Sequence, residues 1–202
     1  MAVITNYATL KTEIAAWLAR DDLTAAIPGF IQNAENKLYR TLNLRNEETA
    51  LSVTITGGVA AVPSDFKALR FAYYNSSPST LLEWSAIEEL YRSYPDRSGG
   101  QTPKIISREA TNFVFGPVSA DGTLKGVYYA KKAGLATTDP SWYVTNAPEV
   151  LLYGALLEAA PYIFGDERIG MLGSFYSDAV NSLITEERHS AASKGALRVR
   201  SG

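Results

Sequence analysis

Apolar positions at the start of the chain recur at helical spacing. Leu10, Ile14, Trp17 and Leu18 fall on one face between Asn6 and Arg20, with Asn6 or Thr5 placed to cap the first free amides. A second stripe follows Asp22, a candidate cap: Leu23, Ile27, Phe30, Ile31, Ala34 and Leu38, with Pro28 either kinking this helix or restarting it. The two stripes predict a helical hairpin. After Arg45 the period shortens. Ala50, Leu51, Val53 and Ile55 sit among Ser and Thr, Gly57-Gly58 turns the chain, and 59–62 returns, which is the pattern of a β-hairpin. Short strands are predicted at 68–75, 104–107, 113–115 and 123–131, separated by Pro, Gly, Asn and Asp. One helix interrupts them: Ser85 with Glu88 forms a capping-box pattern ahead of Leu90, Pro95 closes the segment, and 97–103 reads as a loop.

Helical spacing returns at Thr145-Asn146-Ala147-Pro148, a cap residue and an early proline ahead of Val150, Leu151, Leu152, Leu156, Leu157 and Tyr162. Pro161 removes a backbone bond near the end of that helix. Gly165 suits a left-handed cap and Asp166 the next N-cap, and Ile169, Leu172, Phe175, Tyr176, Val180, Leu183 and Ile184 stripe a final helix. Helix pairs at both ends with strands between predict an α+β fold: a helical bundle made of the N- and C-terminal pairs (1–45 and 146–190), a mostly antiparallel β region inserted at 46–145, and an extended C-terminal tail at 191–202.

Composition narrows the class of protein. Hydrophobic residues at 46% and charged residues at 20% of 202 positions are ordinary for a folded globular chain, so wholesale disorder is not expected. With no cysteine, disulfides, thiolate metal sites and cysteine nucleophiles are excluded. Neither a signal-peptide pattern at 1–7 nor an apolar run of roughly 18 residues is present, which predicts a soluble intracellular product with no membrane partner. A formal charge of -2 argues against a protein that grips phosphate backbones. The charge is uneven: no acid follows Glu187, whereas Arg188, Lys194, Arg198 and Arg200 do.

The sequence offers no reaction. Its single histidine, His189, lies beside the basic tail, away from any nucleophile, and suits a helix end. Asp65, Glu109 and Asp121 occur in turns, and the pairs Glu47-Glu48, Glu88-Glu89 and Glu186-Glu187 point in different directions from one backbone. No spacing gathers a metal site, and Gly165, Gly170 and Gly173 lack the preceding strand a phosphate cradle requires, so neither metal nor cofactor is expected. Tyrosines are more suggestive. Tyr73, Tyr74, Tyr91, Tyr94, Tyr128 and Tyr129 crowd the β region, where tyrosine serves both as a strand residue and as a contact residue between proteins. Tyr73, Tyr74, Tyr91 and Tyr94 are the candidates for contact with another subunit or a tail protein.

Taken in order, Tyr7-Ala8-Thr9-Leu10-Lys11, Ile14-Ala15-Ala16-Trp17-Leu18, Asp22-Leu23 and Ile27-Pro28-Gly29-Phe30-Ile31 resemble the opening of tailed-phage head-to-tail adaptor proteins. Val62-Pro63-Ser64-Asp65-Phe66, the Tyr94-Pro95 loop with Pro103, Phe115-Gly116-Pro117, Tyr128-Tyr129-Ala130-Lys131 and the run from Leu152 to Tyr162 look like later landmarks of the same family. Each motif alone is weak; their order and spacing are specific, and they span nearly the whole chain.

That resemblance implies a non-enzymatic structural subunit of the virion neck, assembled in the host cytoplasm. It would form a twelvefold ring of its own copies beneath the portal protein, extend the DNA channel without reading sequence, and offer a platform to the next tail or nozzle protein. The last twelve residues, extended, reach about 40 Å, enough to cross a neighbouring subunit. Leu197 and Val199 alternate with Arg198 and Arg200, which suits docking of the tail into apolar pockets and acidic groups on the portal, with ordering on contact. A neck stopper or tail-completion protein is the neighbouring reading within the assembly class. A carbohydrate-binding module that stacks sugars on the β-region aromatics is the rival from another class.

Overall fold

Asn6 opens the first helix as expected: its Oδ1 accepts from the Thr9 N–H at 2.9 Å while Thr9 Oγ1 accepts from the Asn6 N–H at 3.0 Å, a reciprocal cap that satisfies two free donors. The computed structural model describes residues 3–96, 100–163 and 167–192, and within them α1 runs Tyr7–Leu18. Asp22 does not cap a helix. It sits in a 3-10 turn, Asp21–Ala26, held by Arg20 through Nε at 2.7 Å and a second guanidinium nitrogen at 2.6 Å. Pro28 then restarts the chain in the first turn of α2, Ile27–Thr41, where its missing N–H costs nothing.

Beyond that hairpin come β1 (Glu48–Thr56), β2 (Val59–Ala61), β3 (Phe66–Tyr74), β4 (Thr80–Trp84), α3 (Ile87–Ser93), β5 (Ile105–Glu109), β6 (Asn112–Gly116) and β7 (Gly122–Ala130). The last helices are α4 (Trp142–Asn146), α5 (Pro148–Ala159) and α6 (Arg168–Ala192). The chain divides into two compact units, one from 1–43 with 133–202, the other from 44–132.

In the helical unit α5 is apolar on nearly every side, burying Val150, Leu151, Leu152, Ala155, Leu156 and Ala159, as a central helix must. Gly154 makes this possible, since a Cβ there would meet Ala34 of α2 at 3.1 Å and Tyr176 of α6 at 3.2 Å. The predicted stripe of α2 is buried throughout, whereas α6 buries Leu172, Ala179 and Leu183 and leaves Phe175 and Met171 exposed. Two further caps fall elsewhere than expected. Ala86, not Ser85, precedes α3, without a side-chain bond. Thr145 and Asn146 end α4, which Ser141 caps, so that α5 begins at Pro148 behind Ala147. The expected tail begins two residues early, since α6 runs through Ala191 and Ala192; Gly165, Asp166 and 193–202 lie outside the described residues.

The expected architecture, a bundle of two helix pairs bearing an inserted, mostly antiparallel β region, is overturned by the β unit. It is a closed barrel of seven strands in the order β1-β2-β6-β5-β4-β3-β7, and β4 pairs with β5 in parallel through Glu83–Ile105 and Trp84–Ile106. The reason is the placement of the apolar side chains. Leu51, Ile55, Ala72, Tyr74, Leu82, Ile106, Phe113, Phe115, Leu124 and Tyr128 all point to one side of the sheet and are buried together. A sheet with one wholly apolar face needs a covering layer, and this one supplies its own by closing, which also removes its edges. The strand that completes the ring, β4, escaped the sequence pattern because Leu81 and Leu82 are adjacent and break the alternation.

Two close approaches set the barrel. Gly57 and Gly58, at φ 58° and 78°, make the tight turn between β1 and β2, and the Gly57 N–H donates to Asp121 Oδ1 at 2.8 Å. The β3–β7 pairing carries irregularities between Phe66 and Ala68 and between Leu69 and Phe71, which bend the sheet into closure.

Candidate functional site

Alternation along β3 decides which residues of the barrel face outward. Ala72 and Tyr74 point into the core; Phe71 and Tyr73 therefore point out. The register then builds two neighbouring rows on the outer wall. Tyr73 stands beside Leu81 of β4 and Lys125 of β7, with Ser52 of β1 beyond. Phe71 stands beside Val127 of β7, with Ala50 beyond. Leu81 is 66% exposed and Phe71 43%, two large apolar side chains in water with Tyr73 between them in the register. Arg70, exposed at the irregularity between Leu69 and Phe71, pairs with Glu48.

The four tyrosines singled out in the sequence occupy different environments. Tyr73 is half-buried within the outer wall. Tyr74 is buried, and its hydroxyl donates to the carbonyl of Asp121 at 3.4 Å. Tyr91, half-buried on α3, donates to Glu109 Oε2 at 2.8 Å. Tyr94 caps α3 and its ring lies where a Cβ on Gly116 would be 2.6 Å away, so it packs against β6. The wall thus brings only Tyr73 together with other exposed groups. Phe71, Leu81 and Val127 were missed as candidates; the signal for Phe71 was its place two residues from Tyr73 in one strand. Tyr128 faces the core, and its hydroxyl donates to Asp65 Oδ1 at 2.9 Å. Burial first, then that bond to a carboxylate, pushes the Tyr128 phenol up to about 12. Leu197, Arg198, Val199 and Arg200 lie outside the described residues.

Three carboxylates are buried among the described residues: Glu13 of α1, whose Oε1 accepts from Trp17 Nε1 at 3.1 Å, and one in each unit with a raised carboxyl. In the barrel unit Glu47 is wholly buried and accepts from Lys67 Nζ at 2.6 Å. Its Oε1 meets no donor among the described residues, and desolvation outweighs the Lys67 bond, so the carboxyl is pushed up from its usual range. In the helical unit Glu35 of α2 is 4% exposed and both its oxygens accept from the Leu135 N–H, at 3.0 and 3.1 Å. Burial again raises it, against the opposing effect of the backbone bond. Among the described residues no group of three or more His, Asp or Glu side chains is arranged to hold a metal ion, and no helix is long and apolar enough to cross a membrane. His189 is exposed in the last turns of α6.

By fold the chain is a mixed protein, a helical unit and a closed barrel whose outer wall carries an apolar patch around Phe71 and Leu81. The family model described as SU10 adaptor protein matches residues 5–200, so the chain belongs to that phage head-to-tail adaptor family, as its sequence landmarks suggested. No curated protein matches it.

Proposed function

We propose that this chain is the ring-forming subunit of a phage neck, docking beneath the portal, extending the DNA channel and presenting a surface to the next tail protein. The observation that carries the reading is the outer wall of the barrel, where Phe71, Tyr73, Leu81 and Val127 form a contiguous apolar face on a member of an adaptor family. Such a face costs free energy in water and is stabilised when a second copy covers it, with Tyr73 as the aromatic that also carries a polar tip. Because a ring needs two different complementary faces on each subunit, the wall serves as one of them. Tyr91 and Tyr94 are contact candidates on the α3 segment, and Tyr74 acts from inside by holding β3 against the loop at Asp121.

Portal docking falls to the C-terminal segment, with Leu197 and Val199 filling apolar pockets and Arg198 and Arg200 meeting acidic groups. It is supported by charge alone: the segment after Glu187 is basic, while the chain as a whole carries -2. Net acidity suits a conduit, since counterion release would otherwise hold DNA against a basic lining.

The deciding experiment is native mass measurement of the protein alone and with its cognate portal ring. One copy per portal subunit in a stable complex is expected. A monomer in both samples overturns the portal reading.

A further inference from the structure

Within the helical unit, the first turns of α2 and the segment after Gly134 enclose a pocket of about 280 Å³ whose lining includes Tyr7, Gln32, Glu35, Gly134 and Thr137. None of its lining residues is Lys, Arg or His. A carboxylate offers roughly four acceptor positions, and Glu35 uses its two oxygens on a single neutral donor, the Leu135 N–H. Among the described residues it makes no ion pair. A buried anion with that little compensation is costly, and a cation brought to it recovers much of the cost.

The access is built from small residues. A Cβ at Gly134 would stand 3.3 Å from Glu35 Oε2, so the glycine keeps that oxygen clear, and a Cβ at Gly29, also on the lining, would meet nothing within 4 Å. We infer that this pocket receives a cationic side chain of a polypeptide, an arginine guanidinium or a lysine ammonium, with Glu35 as its counter-ion. Tyr7, Gln32 and Thr137 supply neutral oxygens around it. The negative charge of Glu35 is felt at Tyr7, whose phenol is raised chiefly by burial and then by that charge. Lys11 does not fill the role: its Nζ lies against the Tyr7 ring, 4.6 Å from the centroid.

Two sources carry such a group: the basic segment with Lys194, Arg198 and Arg200, from the same or a second copy, and a basic side chain of another assembly protein. The pocket's geometry does not rest on the ring and portal reading, although its first source uses Arg198 and Arg200, which that reading assigns to the portal, and its test reads the pocket directly. The Leu135 and Gly134 amide resonances of the full chain are followed during titration with L-argininamide at low ionic strength. The same titration is run on a chain in which Lys194, Arg198 and Arg200 are changed to Gln.

A saturable shift in the unaltered chain points to a cation from another protein. A shift that appears only in the triple variant means that the tail already holds the pocket. In either case Glu35→Gln weakens binding by at least about tenfold, the loss expected for a charge-assisted bond. Gly134→Ala, which crowds Oε2 without removing the charge, weakens it also and covers the possibility that Glu35→Gln fails to fold. No response in either chain, or an equal response in Glu35→Gln, overturns the proposal.

Discussion

Gly126 of β7 lies so close to Ala72 of β3 that a Cβ at 126 would stand 2.8 Å from the Ala72 Cα and 2.2 Å from the Phe71 carbonyl oxygen. Both atoms belong to backbone, so neither is free to give way as the end of a long side chain would. The approach coincides with the irregular register around Leu69 and Phe71, the bend by which the barrel closes.

Gly126→Ala is therefore expected to destabilise the barrel by about 3 kcal/mol, the upper part of the range for overpacking. Denaturant unfolding measures it. A loss below about 0.5 kcal/mol, typical of a surface change, would mean that the two strands do not approach in this way.

How far the sequence revealed this arrangement depended on whether a local pattern was enough. The stripes of α1 and α2 and the Gly57-Gly58 turn follow from spacing and backbone chemistry within a few residues, and they formed as read. Closure of the barrel depends on β4, whose Leu81-Leu82 pair conceals the alternation, and on a parallel β4–β5 pairing between strands separated by a helix. Neither has a local signature. Glu35 was likewise unmarked: its donor partner, the Leu135 N–H, is 100 residues away, and in sequence it is one polar residue beside the buried stripe of α2. The outer wall was half legible, because Tyr73 drew notice as an aromatic while its neighbours Leu81 and Val127 become neighbours only through the register.

Glu47 and Lys67 form a test of buried charge in the barrel unit. Glu47 is fully buried and the Lys67 side chain only 11% exposed, so solvent screens their attraction little. Lys67→Met leaves an uncompensated carboxylate and is expected to cost about 3 to 5 kcal/mol. Changing both, with Glu47→Gln added, should recover more than half of that loss, since the buried charge goes with its partner. Additive losses in the double-mutant cycle would show that the pair does not interact.

Glu35 gives stability an unusual pH dependence. Its native carboxyl is held above the ordinary value of 4.5, so the folded chain keeps a proton that the unfolded chain has already lost. Its stabilising contribution is fully present below that ordinary value and is lost as pH rises through the raised one. Compared with Glu35→Gln, the unaltered chain should therefore lose relative stability as pH rises above about 4.5. Thermal unfolding of both proteins across that window reads the difference; a constant gap would mean that the carboxyl titrates as it does in water.

Leu81 and Phe71 separate folding from association. Leu81 is 66% exposed and Phe71 43%, and neither faces the barrel core, so Leu81→Ser should change unfolding stability by about 0.5 kcal/mol or less and Phe71→Ser, which loses more packing, by about 1 kcal/mol. If a second copy covers the wall, each replacement forfeits burial of a large apolar side chain at about 2 kcal/mol, or roughly thirtyfold in association. In the proposed portal-bound ring, native mass measurement over a dilution series would then show the double variant falling apart at far higher concentrations than the unaltered chain. Equal ring stability in both would remove the wall from the subunit interface, leaving an apolar surface available to the next tail protein, and binding of that protein by the double variant would then be the measurement that assigns it.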